Sequence, residues 1–243
     1  MPVDKSLEWI IPNSQGDIRI YMPGDWHVIL KLSGGADSAI LAYILAKYRH
    51  DFNPNLKFVF ASSVNKDLPY QYEFAKKVVE YIDSVYPLGD YVHLHNENRG
   101  GEFYTDDQNA LVWPLHKKYN EKTIHWSGIT CNPPVDEMKK FEMYTDERVV
   151  GRDRGHQENY LICEHEREDG IYKFNRPFMQ HDKRGVAELY TTFGVLDQLF
   201  PLTRSCEEPT HDFSKHCGKC WFCLERKWGY GTLDLKREKQ NEI

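Results

Sequence analysis

Hydrophobic residues form short runs and longer periodic segments that alternate along the chain. Short apolar runs typical of buried strands lie at residues 27–32, 57–61, 91–95 and 122–127. A longer apolar segment, Ala36 to Tyr48, follows the first run and predicts a helix that is buried on most sides. A second helix is predicted by an apolar stripe at helical spacing, formed by Phe74, Val78, Ile82 and Val85. Strands that alternate with helices in this way predict parallel β-α-β units.

The remaining segments carry weaker local signals. Asp17 to Tyr21 alternates after a polar turn, and we expect an antiparallel edge strand beside the main sheet. The segments 160–166 and 171–174 flank Glu168-Asp169-Gly170, which predicts a hairpin. Helix starts are expected at three residues suited to a first turn or cap, namely Asp67, Pro134 (with a helix to Tyr144) and Asp182.

These elements predict an α/β fold with a doubly wound, mostly parallel sheet. We divide the chain into an N-terminal extension at residues 1–25, a central domain at 26–200 and a small cysteine-rich segment at 201–243. Polar residues after the second predicted strand, Ser62, Ser63 and Asn65, are expected near a ligand, because open α/β sheets bind ligands at the carboxyl ends of their strands.

Composition and charge narrow the classes of function. The net charge is -6, which argues against a broad nucleic-acid surface, since such surfaces neutralise phosphates. No apolar run reaches the ~18 residues that a membrane helix needs. The segment Met1 to Trp9 lacks a signal-peptide core. We therefore expect a cytoplasmic protein with neither a nucleic-acid partner nor a membrane partner.

A glycine-containing stretch, Leu32-Ser33-Gly34-Gly35-Ala36-Asp37-Ser38, joins the first strand to the first helix. Two glycines permit a sharp turn and a close approach to a ligand. The N–H groups at a helix start, together with the helix dipole, favour an anion. Hydroxyl groups at Ser33 and Ser38 add donors. The stretch therefore predicts a phosphate site, although it follows neither the Walker nor the GxGxxG pattern.

Four cysteines near the C-terminus, Cys206, Cys217, Cys220 and Cys223, have the spacing C-x10-C-x2-C-x2-C. Four thiolates can enclose one Zn²⁺ ion tetrahedrally, and a site filled by protein on all sides is structural. Thiol–disulfide chemistry and an iron–sulfur cluster are the alternatives. Substitution of His211 or His216 for a cysteine also stays open.

The string SGGADS at residues 33–38 resembles the SGGxDS signature of the PP-loop ATP pyrophosphatases, whose fold is that of the adenine nucleotide alpha hydrolases. That family cleaves ATP between the α and β phosphates and adenylates a carboxylate or carbonyl oxygen. The resemblance implies that Ser33, Gly34, Gly35 and Ser38 hold ATP phosphates. Asp37 would either cap the helix or approach Mg²⁺.

A lysine in the C-terminal half of the chain, Lys183, extends the resemblance. Lys183 follows Pro177 by six residues and precedes an amphipathic helix. This is similar to amide- and nitrile-forming PP-loop enzymes, in which a lysine reaches the ATP phosphates. The resemblance implies a catalytic role for Lys183, and the alternative is a lysine on the helix surface.

The loop, the lysine and the cysteine spacing together resemble one branch, the 7-cyano-7-deazaguanine synthases. The middle of the chain, including the segment around Gly128, departs from that branch. The resemblance implies an ATP-dependent C–N ligase that adenylates 7-carboxy-7-deazaguanine and uses ammonia to make 7-cyano-7-deazaguanine. It also implies ATP, Mg²⁺ and Zn²⁺ as cofactors and a homodimer.

Other functions and sites are compatible with the same residues. A PP-loop tRNA thiolase would use the cysteines for sulfur or a cluster, and a zinc-ribbon binding protein would only sense ATP. A sulfonucleotide reductase is disfavoured because the chain lacks a C-terminal Glu-Cys-Gly-x-His motif. His93 and His95 lie two apart on a strand and could bind a metal, but hydrogen bonding is the simpler expectation. Cys131 is expected to be a small buried thiol.

Overall fold

The computed structural model describes residues 7–65, 67–68, 70–99, 104–119, 122–145, 163–167, 170–208 and 215–234. The strands are β1 (Glu8–Ile11), β2 (Ile18–Tyr21), β3 (His27–Lys31), β4 (Lys57–Asn65), β5 (Val92–Asn98), β6 (Thr123–Ser127), β7 (Cys163–Arg167) and β8 (Gly170–Asn175). The helices are α1 (Ala36–Asp51), α2 (Tyr70–Val85), α3 (Tyr104–Lys118), α4 (Val135–Lys140), α5 (Lys183–Thr192), α6 (Leu196–Leu199) and α7 (Trp221–Tyr230). A 3₁₀ turn at Phe200–Leu202 follows α6.

The main sheet has the strand order β5-β4-β3-β6-β8-β7. Its strands run parallel from β5 to β8, and β7 pairs antiparallel with β8. The chain builds outward from β3 through β4 and β5 on one side, and through β6 and β8 on the other. Where the strand order reverses, the carboxyl ends of β3 and β6 leave a crevice that can bind a ligand. The predicted doubly wound, mostly parallel α/β fold is confirmed.

Alternating side chains on β3 explain why helices cover both faces of the sheet. Val28 and Leu30 pack into the larger core with α1, whereas Ile29 packs into a smaller core with Val112 and Leu115 of α3. Helix α1 is buried on nearly all sides because it lies between the sheet and helices α2 and α5. This agrees with its uniformly apolar sequence. No described helix is long and apolar enough to cross a membrane.

The N-terminal strand prediction is wrong in its pairing. Strand β2 does not extend the main sheet but pairs antiparallel with β1 in a separate two-stranded sheet. Ile18, Ile20 and Met22 are nevertheless buried in the larger core. The apolar face of this hairpin thus covers α1, and the Tyr48 hydroxyl accepts a hydrogen bond from the Met22 N–H at 3.3 Å.

Several predicted element ends also move. Helix α2 begins at Tyr70, so Asp67 is not its cap; the Asp67 N–H instead donates to Asn65 Oδ1 at 2.9 Å. Val85 at the end of that helix is 40% exposed and lies outside the buried stripe. Ser62 and Ser63 belong to β4, which is longer than predicted. Helix α4 ends at Lys140, short of Tyr144. The predicted hairpin is confirmed as β7 and β8.

Candidate active site

The loop between β3 and α1 turns sharply at Gly34. Its φ is +76°, and an added Cβ would stand 2.7 Å from the Gln71 carbonyl oxygen and 2.9 Å from the Phe74 Cβ. The Gly34 carbonyl accepts a hydrogen bond from the Arg204 N–H at 2.9 Å. Gly35 caps the helix without any side-chain cap, which leaves the first N–H groups of α1 available to an anion.

The two serines of the loop have different surroundings. Ser38 is 5% exposed, and its hydroxyl donates to the Gly35 carbonyl and lies 3.2 Å from Ser33 Oγ. Ser33 is exposed, and its Oγ accepts from the Gly35 N–H at 3.3 Å. Both line the same cavity. Ser33 is therefore the more accessible donor, while Ser38 shapes the turn.

We expect Gly34→Ala to lower the free energy of unfolding by about 2–6 kcal/mol, from about 1–3 kcal/mol of backbone strain and about 1–3 kcal/mol of overpacking. Gly35→Ala is the matched comparison. Gly35 has a negative φ of -82°, and its added Cβ would meet only the Ser33 hydroxyl at 3.3 Å and the Arg204 carbonyl at 3.8 Å. It should cost about 1 kcal/mol. Urea unfolding measures both, and equal losses would contradict the difference.

Lys183 lies beside this loop and is not a surface lysine. It is 9% exposed, and its Nζ forms an ion pair with Asp37 Oδ2 and lies 3.8 Å from Glu225 Oε2. Glu225 is fully buried. The alternative role of Asp37 as a helix cap is not observed, since its carboxylate turns to Lys183. Asp37 Oδ1 is buried without a hydrogen-bond partner among the described residues, so this oxygen fits a cation ligand.

The start of α5 fixes the Lys183 backbone. The predicted cap is confirmed, because the Asp182 carboxylate accepts from the Arg184 N–H at 2.8 Å and the Gly185 N–H at 3.3 Å. Gln15 binds the same residue from the N-terminal loop: its side-chain amide donates to Asp182 Oδ1 at 2.8 Å and accepts from the Asp182 N–H at 2.9 Å. Residues far apart in sequence thus hold the helix that carries the lysine.

Close helix packing restricts Lys183 further. Gly229 of α7 lies so near that an added Cβ would stand 2.3 Å from the Lys183 Cβ and 2.9 Å from its carbonyl carbon. Further along the same helix, the buried Tyr190 hydroxyl of α5 donates to the Ala36 carbonyl of α1 at 2.7 Å. Helix α5 therefore contacts both α1, which follows the Gly34-Gly35 loop, and α7, which carries Cys223.

A cavity of about 700 Å³ opens at the reversal of strand order. Its charged lining residues are Lys31, Arg176, Lys183 and Arg204 with Asp37, Glu207 and Glu225. Four of these residues were not predicted from the sequence as site residues, namely Lys31, Arg176, Arg204 and Glu225. The one available signal was Lys31, a charge at the end of an otherwise apolar strand. The excess of cationic side chains suits an anionic ligand.

The smaller expectations have mixed outcomes. Gly128 borders the cavity, and α1 requires that it has no side chain, because an added Cβ would stand 2.8 Å from the Asp37 carbonyl carbon. His93 Nε2 lies 2.9 Å from the Ser62 hydroxyl, and His95 stacks on Tyr72 at 4.2 Å. Among the described residues, the side chains close enough together to bind a metal ion are those of the four cysteines, and these two histidines are not among them. Cys131 is half-buried and outside the cavity lining.

The four predicted cysteines come together into one cluster. All four Sγ atoms lie within 4.8 Å of one another, and those of Cys217 and Cys223 are 3.8 Å apart. A tetrahedron with metal–sulfur bonds of about 2.3 Å has edges of about 3.8 Å. In a cubane cluster each thiolate binds a different iron, which spreads the sulfurs further. The Cys217 sulfur also accepts from the Lys219 and Cys220 N–H groups at 3.5 and 3.3 Å. The cluster therefore fits a single ion.

The electrostatics of the cluster favour a bound cation. The hydrogen bond with Cys223 lowers the pKa of Cys220 to about 4, while the same contact raises the pKa of Cys223. Thiolates this close repel, so a metal ion is needed to ionise all four. His216 is not positioned as a ligand, since its Nε2 accepts from the Ser205 N–H and its Nδ1 bonds to Asp234. His211 lies outside the described residues.

Comparisons with known proteins add a likeness of fold. No family model matches the chain, and neither does any curated protein. Among solved structures, the chain is similar to the U34-tRNA thiolase NcsA from Methanococcus maripaludis with its [4Fe-4S] cluster. The identity is 14%, the alignment covers 86% of this chain and 72% of that one, and the TM-score is 0.48. A likeness this distant does not transfer an activity or a cofactor.

Proposed function

We propose that this protein is an ATP-dependent enzyme that transfers AMP to an oxygen of its acceptor and releases pyrophosphate. The main supporting observation is the buried ammonium of Lys183, paired with Asp37 directly beside the Gly34-Gly35 turn. A helix start without a side-chain cap adds N–H donors at the same place. These groups line one cavity, which suits a polyphosphate tail.

The proposed chemistry uses these residues for positioning and charge. Backbone N–H groups at Gly34 and Gly35, with the Ser33 hydroxyl, hold the β and γ phosphates. The acceptor carboxylate attacks the α phosphorus, the bond from that phosphorus to the bridging oxygen breaks, and pyrophosphate leaves. Lys183 offsets the charge that develops on the leaving group. Mg²⁺, held through Asp37, would neutralise phosphate charge when bound.

For the acceptor, we propose 7-carboxy-7-deazaguanine with ammonia as the nitrogen donor. Ammonia attacks the acyl carbon and displaces AMP, which gives an amide. A second ATP would activate the amide oxygen, whose loss as AMP leaves the nitrile. The support is the combination of loop, lysine and C-x10-C-x2-C-x2-C spacing. We assign one structural Zn²⁺ to the cysteines because their sulfur spacing suits a single ion and leaves no open coordination position.

The deciding experiment follows the products of ATP. We expect AMP and pyrophosphate to form only when 7-carboxy-7-deazaguanine is present, and the nitrile to form only when ammonia is added as well. When ammonia is withheld, labelled pyrophosphate should exchange into ATP. ADP and phosphate as the only products would exclude the proposal. In a parallel reaction, tRNA and sulfide replace the acid and ammonia. AMP formation only with tRNA and sulfide would identify a tRNA thiolase. The adenylation proposal would then stand, but the proposed acceptor would be wrong.

A further inference from the structure

Two cations that the proposed phosphate chemistry does not use lie at the carboxyl edge of the sheet. Lys31 is the last residue of β3 and pairs in register with Ser127 of β6. Asn175 of β8 pairs with the preceding residue of β6, so Arg176 comes level with Ser127. Three neighbouring strands therefore place Lys31, Ser127 and Arg176 in one row across about 10 Å, or two strand spacings.

Among the described residues, the groups close to these two cations include side-chain amides, an aromatic ring and, near Arg176, the Cys163 thiol. Lys31 Nζ donates to Gln108 Oε1 at 2.9 Å and lies 3.4 Å from Asn109 Oδ1, so both of these contacts are amide oxygens of α3. The Arg176 guanidinium lies 4.8 Å from the centre of the Phe174 ring. Within the described part of the chain, neither cation forms an ion pair with a carboxylate. Both line the cavity that contains the Gly34-Gly35 turn.

Two neighbouring positive charges are unfavourable in a partly buried site when, as among the residues that the structure describes, no carboxylate pairs with either of them. Burial and, to a smaller extent, the positive charge of the nearby Arg176 together lower the pKa of Lys31 to about 8. A bound anion would relieve both effects. A planar carboxylate suits the arginine, which binds such groups through two parallel N–H donors.

We propose that Lys31 and Arg176, with Ser127 between them, form the subsite that binds the carboxylate of the acid substrate. The inference deepens the proposed function and rests on it. Lys31 lies two residues before Ser33, so an acid held here is next to the loop proposed to hold the phosphates. The carboxylate is thereby presented to the α phosphorus, while Lys183 remains with the leaving group. The two lysines thus have separate ligands.

The test compares a charged and an uncharged ligand on the whole protein. Binding of 7-carboxy-7-deazaguanine and of its nitrile is measured by calorimetry for the wild type, Lys31→Met and Arg176→Met. Each substitution should weaken binding of the acid by roughly ten- to a hundred-fold, since each removes a charged hydrogen bond. Affinities for the nitrile and for ATP should stay within about two-fold. Equal losses for acid and nitrile, or a loss for ATP alone, would overturn the subsite.

Lys57→Met is the matched control. Lys57 is exposed at the opposite end of the neighbouring strand β4 and should leave acid binding unchanged. A second readout needs no variant: acetic anhydride at pH 8 should modify Lys31 in the wild type, as mass spectrometry of peptides detects, and the acid should protect Lys31 but not Lys57. Absence of protection, or of acid binding by the wild type, contradicts the subsite.

The outcomes separate this inference from the proposed function. If the wild type binds the acid through Lys31 and Arg176 but forms no AMP, the adenylation proposal fails and the anion subsite stands. If AMP forms with the acid and Lys31→Met leaves the KM for the acid unchanged, the subsite fails and the adenylation proposal stands.

Discussion

Replacing Lys183 with methionine is expected to lower kcat for AMP and pyrophosphate formation by about 10²–10³-fold, the usual effect of removing one preorganised donor at a site of developing charge. Methionine keeps much of the aliphatic volume but has no ammonium group. ATP affinity should change far less than kcat, because the N–H groups of the Gly34 turn still hold the phosphates. Steady-state and single-turnover rates with saturating ATP measure the effect.

A loss of stability must be separated from this loss of rate. Lys183 balances Asp37 and the fully buried Glu225, and breaking a buried pair costs about 3–5 kcal/mol, less here because the lysine and aspartate side chains keep 11% and 19% of their exposure. Rates are therefore normalised to the folded fraction. Arg184→Met is the control: Arg184 is the next residue on α5, is exposed, and should keep full kcat. A normalised rate near wild type for Lys183→Met would refute the assigned role.

Removing the metal from the cysteine cluster should have the largest effect on stability. We expect one zinc per chain in the purified protein and none in the Cys220→Ser, Cys223→Ser double variant, measured by inductively coupled plasma mass spectrometry. Zinc contributes about 10–16 kcal/mol in small zinc domains. If one third of that applies here, about 3–5 kcal/mol, the melting temperature falls by about 7–20 °C, given about 2–4 °C per kcal/mol in a chain of this size.

Activity should fall with the metal, because α7 begins directly after Cys220, contains Cys223 and carries Glu225 and Gly229 to Lys183. Cys131→Ser is the matched control, since Cys131 lies outside the cluster and should leave both zinc content and melting temperature near wild type. Iron in place of zinc, or a double variant that keeps its metal, would contradict the assignment.

The parts of the site that sequence could predict are those with local signals. The β3–loop–α1 unit follows from an apolar run, two glycines and a helical segment within about 25 residues, each of which restricts the backbone on its own. The cysteines were recognisable by spacing. Lys183 was recognisable by its spacing from Pro177 and a resemblance, and the helix start before it was predicted from Asp182, whose capping role depends only on the next three residues.

The remaining parts depend on contacts between distant segments. Arg176 comes near Lys31 only because β6 lies between β3 and β8, a strand order that no local pattern specifies. Glu225 looks like a solvated helix residue, yet it is buried against Lys183. Likewise, β1 was missed and β2 assigned to the wrong sheet, because alternation within four residues gives a strand its faces but not its neighbour.

The contact between Gly229 and Lys183 has a consequence for how the protein can vary. Any residue with a side chain at position 229 would push α5 and α7 apart, and this separation would displace the Lys183 ammonium group and the last turn of α7 together. In a library of random substitutions, active clones with a residue other than glycine at position 229 should therefore also carry a compensating change on the side of α5 that faces α7. Substitutions in α5 and in α7 would then be found together rather than independently.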